Sequence, residues 1–187
     1  MTVGFAMCGS FCTYASVFPV MEELAASYDL IPIFSPAAHS INSRFGTAAS
    51  HIHRATDICG TTPLHTIQEV EPIGPKKLLD ALIIAPCTGN TLAKLSCGIA
   101  DTSVTMAAKS HLRNGRPVVI AVSTNDGLAA AAENIGRLLV RKHHYFVPFG
   151  QDDALGKPTS LVADFSQLPM TLEAALAGRQ IQPLLLG

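Results

Sequence analysis

One stretch of the chain, Ala81-Leu82-Ile83-Ile84-Ala85, is uniformly apolar and only five residues long. A short apolar run of this kind is typical of a central strand in a parallel sheet, which helices cover on both faces. The run from Val118 to Val122 has the same character, and three more short runs lie at Val3 to Met7, Leu30 to Phe34 and Tyr145 to Val147. Because these runs alternate with longer segments of helical period, the sequence predicts β-α-β units and an α/β fold with a mostly parallel sheet.

The segments between the runs predict the helices. Apolar residues recur at helical spacing over residues 11–27, 45–58, 92–97, 128–140 and 170–177. Gly60 and Gly178 follow two of these segments, as glycine commonly does where a helix ends. The chain of 187 residues has no internal repeat and no long linker. It is therefore expected to form a single domain over residues 1–187, with residues 151–187 as a C-terminal extension packed on it.

The charge content excludes several classes of protein. Hydrophobic residues make up 48% and charged residues only 14% of the chain, whereas an ordinary globular chain has about 25% charged residues. This excludes intrinsic disorder. The net charge of −1 offers no polycationic surface, so nucleic acid is not an expected partner. So few charges suggest that other copies of the chain cover part of the surface, as in a homo-oligomer.

The N-terminal region and the cysteines indicate a cytoplasmic protein. Residues 2–21 carry no charge, but they lack the basic start of a signal peptide, and residues such as Gly9 and Pro19 interrupt the apolar stretch. The five cysteines are odd in number and lie in apolar surroundings, which predicts reduced, buried thiols. Cys8 and Cys12 are four residues apart, but no second Cys or His pair follows at zinc-like spacing, so no metal site is expected.

Three polar clusters follow predicted strands at the point where each turns into a helix. They are Cys8-Gly9-Ser10, the segment Pro86 to Thr91, and Ser123-Thr124-Asn125. In open α/β sheets ligands bind at this carboxyl edge, and hydroxyl and amide groups beside helix N-termini suit a phosphate. The alternative interpretation is that Thr88, Ser123 and Thr124 only cap helices. Three clusters at one sheet edge favour a ligand site.

The sequence narrows the choice of phosphate ligand. The first strand-to-helix turn lacks G-x-G-x-x-G, and no acidic residue is placed to hold a ribose, which argues against a dinucleotide. The chain also lacks G-x-x-x-x-G-K-[ST], so it is not a P-loop nucleotidase. A mononucleotide such as FMN is the best remaining fit.

The stretch from Ala85 to Lys94, A-P-C-T-G-N-T-L-A-K, continues to Gly98-Ile99-Ala100-Asp101 and Thr105. It resembles the P-A-S-A-N-T motif, and the motif that follows it, of the flavin-dependent cysteine decarboxylase family. The resemblance implies a Rossmann-like three-layer α/β/α fold, bound FMN, and a homo-oligomer that is a trimer or a multiple of trimers.

Further segments resemble one branch of that family, in which the flavoprotein works with a separate polypeptide to form an aromatic dicarboxylate during sporulation. They are Thr13-Tyr14, Asn42 to Gly46, Glu71 to Lys76, Met106 to Lys109, Leu112 to Gly115, Ser123 to Asp126 and Tyr145 to Asp152. This implies a flavin-dependent oxidoreductase in the cytoplasm of the mother cell of a spore-forming bacterium. Its partners would be the separate polypeptide and a small dicarboxylate substrate.

The resemblance also implies which residues hold the flavin. The expected contacts to the phosphate and ribityl chain are Gly9, Ser10, Thr88, Asn90 and Thr91, together with Ser35 at the end of the second strand. The residues expected near the isoalloxazine ring are Ser103, Val104 and Met106. The cofactor-binding residues are therefore predicted to be Gly9, Ser10, Ser35, Thr88, Gly89, Asn90, Thr91, Ser103, Val104, Met106, Ser123, Thr124 and Asn125.

One departure bears on the reaction. In the decarboxylases a catalytic histidine lies eight residues before the Asp that precedes the A-P strand end, and the corresponding position here is Pro72. Proline cannot transfer a proton, so cysteine decarboxylation is disfavoured and a rigid turn is predicted at residues 72–75. A decarboxylase or prenyl-flavin-type enzyme remains an alternative, as does a non-catalytic flavin-binding scaffold for the separate polypeptide.

Two residues are the candidates for catalysis. Arg44 is the predicted partner of a substrate carboxylate, because a guanidinium pairs bidentately with a carboxylate, and its alternative is an ordinary surface ion pair. Lys76 and Lys109 are weaker candidates for the same role. His39, in a predicted loop after the second strand, is the candidate proton acceptor.

Overall fold

The computed structural model describes all residues, 1–187, and contains one seven-stranded sheet. The order of the strands is β2-β1-β3-β4-β7-β6, and β5 pairs with β4 beside this path. The strands are β1 (Thr2–Met7), β2 (Asp29–Phe34), β3 (Ala81–Cys87), β4 (Val118–Thr124), β5 (His144–Phe146), β6 (Phe149–Gly150) and β7 (Leu161–Ala163). The first five are paired in parallel, whereas β7 is antiparallel to both β4 and β6.

Two groups of helices sandwich the sheet. The helices are α1 (Tyr14–Ala25), α2 (Pro36–Ser40), α3 (Ala48–Cys59), α4 (Ile67–Val70), α5 (Gly89–Cys97), α6 (Ser103–Leu112), α7 (Ala132–Leu139) and α8 (Leu168–Leu176). Helix α1 contacts α3 and α8, while α5 contacts α6 and α7, and α4 contacts α6. The result is the expected three-layer α/β/α arrangement.

The apolar run that begins at Ala81 lies where the sequence predicts. All seven residues of β3 are buried, and so are the first six of β4. These two strands pair in parallel, with Leu82 opposite Val118 and Ile84 opposite Ile120. Burial on both faces requires apolar side chains throughout, which is why neither strand shows the alternating pattern of a half-exposed strand.

Several predicted helix boundaries are wrong by a few residues. Helix α1 begins at Tyr14 because Phe11–Thr13 form a 3-10 turn. Helix α3 begins at Ala48, where the side chain of Thr47 accepts a hydrogen bond from the Ser50 amide. Helix α7 begins at Ala132 instead of residue 128, because a turn follows β4. Helix α3 ends at Gly60, as predicted, with a φ of +68° that a side chain would strain.

Several short elements and the end of the sheet are not predicted by the sequence. Helices α2, α4 and α6 were not predicted, although Thr102 and Thr105 form a capping box at the start of α6. Strands β6 and β7 lie in and after the stretch that is rich in Pro, Gly and Asp. Strand β7 pairs with the end of β4, Ser123 opposite Val162, so the C-terminal extension continues the sheet.

The cysteines only partly follow the prediction. Cys8 and Cys87 are buried, but Cys12 and Cys97 are exposed and Cys59 is half-buried, so the expectation that all are buried is wrong. All five are free thiols. None of the helices combines the length and the apolar character needed to cross a membrane.

Candidate functional site

The structure brings the three polar clusters together at the carboxyl edge of the sheet. The Ser10 hydroxyl, after β1, is hydrogen bonded to the Ser123 hydroxyl at the end of β4, with 2.7 Å between the oxygens. The Thr91 hydroxyl, in α5, donates to the Cys8 sulfur at 3.2 Å. The loop after β1 therefore joins the clusters that follow β3 and β4, as the sequence predicts.

Two adjoining clefts open at this edge. They have volumes of about 470 and 340 Å³ and share Gly9 and Thr88. The first is lined by Cys8, Gly9, Ser35, Pro36, Ala37, Thr88, Asn90, Thr91, Lys94 and Thr102. The second is lined by Gly9, Ser10, Phe11, Cys12, Ser43, Phe45, Thr88, Ser123, Thr124 and Asn125.

The N-terminus of α5 forms the boundary between the two clefts. Thr88 is its N-cap, and the Thr88 side chain accepts a hydrogen bond from the Thr91 amide at 3.4 Å. The first amides of a helix have no partner within it, and together they carry a partial positive charge. Thr88 is thus a helix cap and also a wall of both clefts. An anion in the shared region would face donors from the backbone as well as hydroxyl groups.

Gly89 allows this helix to approach the turn after β4 closely. A Cβ atom at Gly89 would lie 2.6 Å from Thr124 Oγ1 and 2.8 Å from Asp126 Oδ1. The Thr124 hydroxyl donates to the Asp126 carboxylate. Neither Ser123 nor Thr124 caps a helix, since the N-cap of α7 is Ala131, so the capping alternative is wrong for both.

The clefts are lined almost entirely by uncharged groups. Lys94 is the one Lys or Arg among the lining residues, and its ammonium group is 2.7 Å from the Asp101 carboxylate. That hydrogen bond lowers the pKa of Asp101. The donors are therefore hydroxyls, the side-chain amides of Asn90 and Asn125, and the backbone, and these suit a phosphate ester with a polyhydroxylated chain, such as FMN.

The floor of the first cleft is a neutral thiol. Cys8 is buried, and burial raises the pKa of its thiol to about 11. At neutral pH the sulfur is protonated and accepts the Thr91 hydrogen bond, so it presents no negative charge to a phosphate. The prediction omitted the Cys8 side chain, although its position directly after an apolar strand could have indicated it.

The structure leaves three predicted flavin contacts away from the clefts. The Ser103 hydroxyl is buried and donates to the Phe34 carbonyl, and Val104 is fully buried. Met106 is half-buried and packs against the core. At this helix start only the preceding residue, Thr102, lines a cleft. Every other predicted cofactor residue lines a cleft except Gly89, which packs against the turn after β4.

The two catalytic candidates lie beside the clefts but not in them. Arg44 is exposed, and its guanidinium carbon is 4.8 Å from the centre of the Phe45 ring, which does line the second cleft. His39 lies on α2, so the predicted loop at that position is wrong. Its ring stacks on His65 with 3.8 Å between the ring centres. Burial and the nearby His65 lower the pKa of His39.

The two weaker candidates lie elsewhere in the fold. Lys76 precedes Asp80, whose amide donates to the carbonyl of Thr2 at the start of β1, so it belongs to the opposite edge of the sheet. Lys109 lines a separate cavity beside α6. Neither is placed to hold a substrate carboxylate at the clefts.

The fold and this site can be set beside known proteins. A family model described as Flavoprotein matches residues 1–146. The chain belongs to the flavoprotein family. It is 44% identical to the B subunit of dipicolinate synthase from Bacillus subtilis, over 98% of this chain and 92% of that protein.

Solved structures agree with this assignment. The structure of this flavoprotein is similar to the B subunit of dipicolinate synthase from Bacillus halodurans, with a TM-score of 0.91, 42% identity, and coverage of 100% of this chain and 96% of that chain. It also shares its fold with the FMN-dependent cysteine decarboxylase SpaF, with a TM-score of 0.70 and 21% identity over 94% of this chain and 97% of that chain.

Proposed function

We propose that the two adjoining clefts bind FMN. The phosphate is assigned to the shared region at the start of α5, with Gly9, Ser10 and Thr88 as its neighbours, and the ribityl hydroxyls to Ser35, Asn90 and Thr91. Support comes from the neutral donor set, from the helix N-terminus, and from family membership. Ser103, Val104 and Met106 are assigned to the isoalloxazine ring only through their resemblance to the family motif.

We further propose that the chain is the flavin-binding component of a dipicolinate synthase. The observation that carries this proposal is the 44% identity to the Bacillus subtilis protein, which extends over 98% of the chain and so includes the residues after 146. The reaction would convert a dihydrodipicolinate-type precursor into dipicolinate, together with the other, separately encoded component of the synthase, here called the companion protein. By the same likeness we expect the activity during sporulation.

The residues beside the clefts can be given roles in this reaction. A bound flavin supplies the acceptor for the hydride that leaves the ring of the substrate. Arg44, next to the cleft residues Ser43 and Phe45, is assigned to a substrate carboxylate, since its guanidinium has no carboxylate partner in the structure. Phe11 and Phe45 give the second cleft two aromatic walls against which a ring can pack.

His39 is assigned as the acceptor of the ring proton. A lowered pKa keeps its imidazole neutral at neutral pH, which is the form that can accept a proton. Pro36 and Ala37, at the start of the same short helix, line the first cleft. His65, stacked on the ring of His39, positions the imidazole against rotation.

The assembly follows from the same likeness. We propose that the chain forms a homo-oligomer, a trimer or a multiple of trimers, and that it binds the companion protein. The low charge content and exposed apolar side chains such as Val140 and Leu155 support contacts between chains.

A decarboxylase or a prenyl-flavin-type enzyme is the second candidate, favoured by the shared fold with SpaF. Against decarboxylation stands Pro72, which lies in a 3-10 turn over Glu71–Ile73 and lines neither cleft. A prolyl ring has no group that can donate or accept a proton, so a histidine-dependent decarboxylation has no equivalent here.

The test is anaerobic reduction of the flavin-loaded protein by dihydrodipicolinate, followed in the visible absorption spectrum. We expect bleaching by the chain alone or after the companion protein is added, and dipicolinate as the product. Bleaching without the companion protein would place the oxidation on this chain. A yellow protein that is never reduced, with or without the companion protein, would support the scaffold alternative and contradict the oxidoreductase proposal.

A further inference from the structure

A separate cavity of about 300 Å³ lies near the C-terminal end of α5, between the end of that helix, α6 and the start of β5. It shares no lining residue with the two clefts: α5 contributes Leu95 to the cavity, and Asn90, Thr91 and Lys94 to the first cleft. A cavity of about 150 Å³ is enough to hold benzene. This one is therefore large enough for a single ring that carries a polar substituent.

The cavity has an apolar part. Leu95, Ile99, Ala100 and Leu112 line it, and Ile99 is 47% exposed. Gly98 ends α5 with a φ of +72° and turns the chain so that Ile99 and Ala100 follow along the cavity wall. Burial of an apolar group against these side chains would be favourable.

Besides Gly98 and Thr105, the rest of the lining consists of basic side chains, and none of the lining residues is acidic. Lys109, Arg141 and His144 all line the cavity. None of the ion pairs in the structure includes Lys109 or Arg141. Two positive side chains beside an apolar wall, without a carboxylate to compensate them, favour a ligand that is both apolar and anionic.

Backbone carbonyls orient two of the basic side chains, Arg141 and His144, and Arg141 still has unpaired N–H donors. The Arg141 guanidinium donates to the Leu95 carbonyl at 3.0 Å and to the Ser96 carbonyl, which leaves three of its five N–H groups without a protein partner. The His144 Nδ1 donates to the Lys142 carbonyl at 2.9 Å, which fixes the orientation of that ring. The side-chain ammonium group of Lys109 makes no hydrogen bond within the protein and can turn toward a ligand.

We propose that this cavity is a second ligand site, which binds a small carboxylate with one apolar ring or branched chain. The carboxylate lies between Lys109 and the free N–H groups of Arg141, and the apolar part lies against Leu95 and Leu112. The site shares no residue with the flavin clefts, so this proposal does not depend on the proposed function.

The experiment is calorimetric titration of the full chain, saturated with FMN, with benzoate as the probe. We expect saturable binding at millimolar or lower concentrations, and at least about tenfold weaker binding of the uncharged analogue benzamide, because a hydrogen bond between charged groups contributes about 1.5–3 kcal/mol. Equal binding of benzoate and benzamide, or no saturable binding of benzoate, would overturn the proposal.

Variants locate the site. Lys109→Met keeps the length of the side chain and removes its charge, and we expect benzoate binding to weaken at least about fivefold. Ala100→Leu fills the cavity and should abolish binding. The matched control is Lys142→Met, an exposed lysine outside the cavity, which should bind benzoate as the unaltered protein does. Unchanged binding of benzoate by both cavity variants would contradict the assignment.

Discussion

The two edges of the parallel sheet use polar residues in opposite ways. At the amino edge, Arg116 and Asp80 are 3.4 Å apart, the Asp80 carboxylate accepts from the Thr2 amide, and Arg116 donates to the Leu79 carbonyl. Asp80 and Arg116 are therefore both already paired within the protein. At the carboxyl edge the hydroxyls and helix amides line open clefts. The amino edge therefore contributes to the stability of the fold, whereas the carboxyl edge leaves polar groups free for the ligand that we propose there.

His111, at the amino edge, gives the largest expected effect on stability. Its Nε2 donates to the Pro117 carbonyl at 3.0 Å, and burial lowers its pKa to about 4. The unfolded chain, with an ordinary pKa near 6.5, binds a proton that the folded chain does not, so stability falls as the pH falls below about 6.5. Between pH 7 and 5 we expect the free energy of unfolding to decrease by about 2 kcal/mol from this group.

The measurement is urea denaturation at several pH values, compared with His111→Gln, whose side-chain amide can keep the hydrogen bond to Pro117 but does not titrate. The variant should lose this part of the pH dependence. An identical pH profile for both proteins would show that the buried imidazole is not what links stability to pH.

Gly89→Ala tests the carboxyl edge. The added Cβ would lie 2.6 Å from the Thr124 oxygen, so the start of α5 must move away from the turn after β4. We expect FMN to bind at least about tenfold more weakly, which corresponds to about 1.4 kcal/mol. Fluorescence titration measures this, with Gly136→Ala on α7 as the control, since no atom lies within 4 Å of a Cβ there. Equal loss in both variants would contradict the role of Gly89.

Arg116→Met tests whether the amino edge affects stability without affecting flavin binding. It removes the hydrogen bonds to the backbone and the ion pair with Asp80, and it keeps most of the side-chain length. We expect the free energy of unfolding to decrease by about 1 kcal/mol, because the pair is about one-third exposed. FMN affinity should not change. A loss of flavin affinity without a loss of stability would contradict the different roles given to the two edges.

Lys94→Met gives the smallest expected effect. The Lys94 ammonium lines the first cleft but is already paired with Asp101. If neutral donors hold the phosphate, the affinity for FMN should change by less than about threefold. The same titration, at low and at physiological salt, measures it. A large, salt-dependent loss of affinity would show that this lysine contacts the phosphate directly.

The strands and the meeting of the polar clusters could be predicted because both depend on local patterns. An apolar run such as Ala81 to Ala85 identifies a buried strand, and the carboxyl ends of parallel strands share one edge. The resemblance to the family added the identity of the ligand. The positions of Thr88, Asn90 and Thr91 in the cleft walls follow directly from these two facts.

The features that could not be predicted depend on contacts between segments that are distant in sequence. Ser103 is a helix residue whose hydroxyl turns toward Phe34, 69 positions away, and no local pattern indicates that direction. The stacking of His39 on His65 and the pairing of β7 with β4 are of the same kind. Short helices such as α2 also escape prediction, because they contain too few turns to show a period.

The central claim is that the carboxyl-edge clefts bind FMN through neutral donors at the start of α5. The most direct measurement is the affinity for FMN, by fluorescence titration, of a Thr88→Val, Asn90→Leu double variant. We predict about a hundredfold loss of affinity, since two hydrogen bonds of about 1–1.5 kcal/mol each are removed. The variant should still fold, with the free energy of unfolding lowered by about 1 kcal/mol, because Thr88 is also the N-cap of α5. Unchanged flavin affinity in a folded double variant would contradict the site.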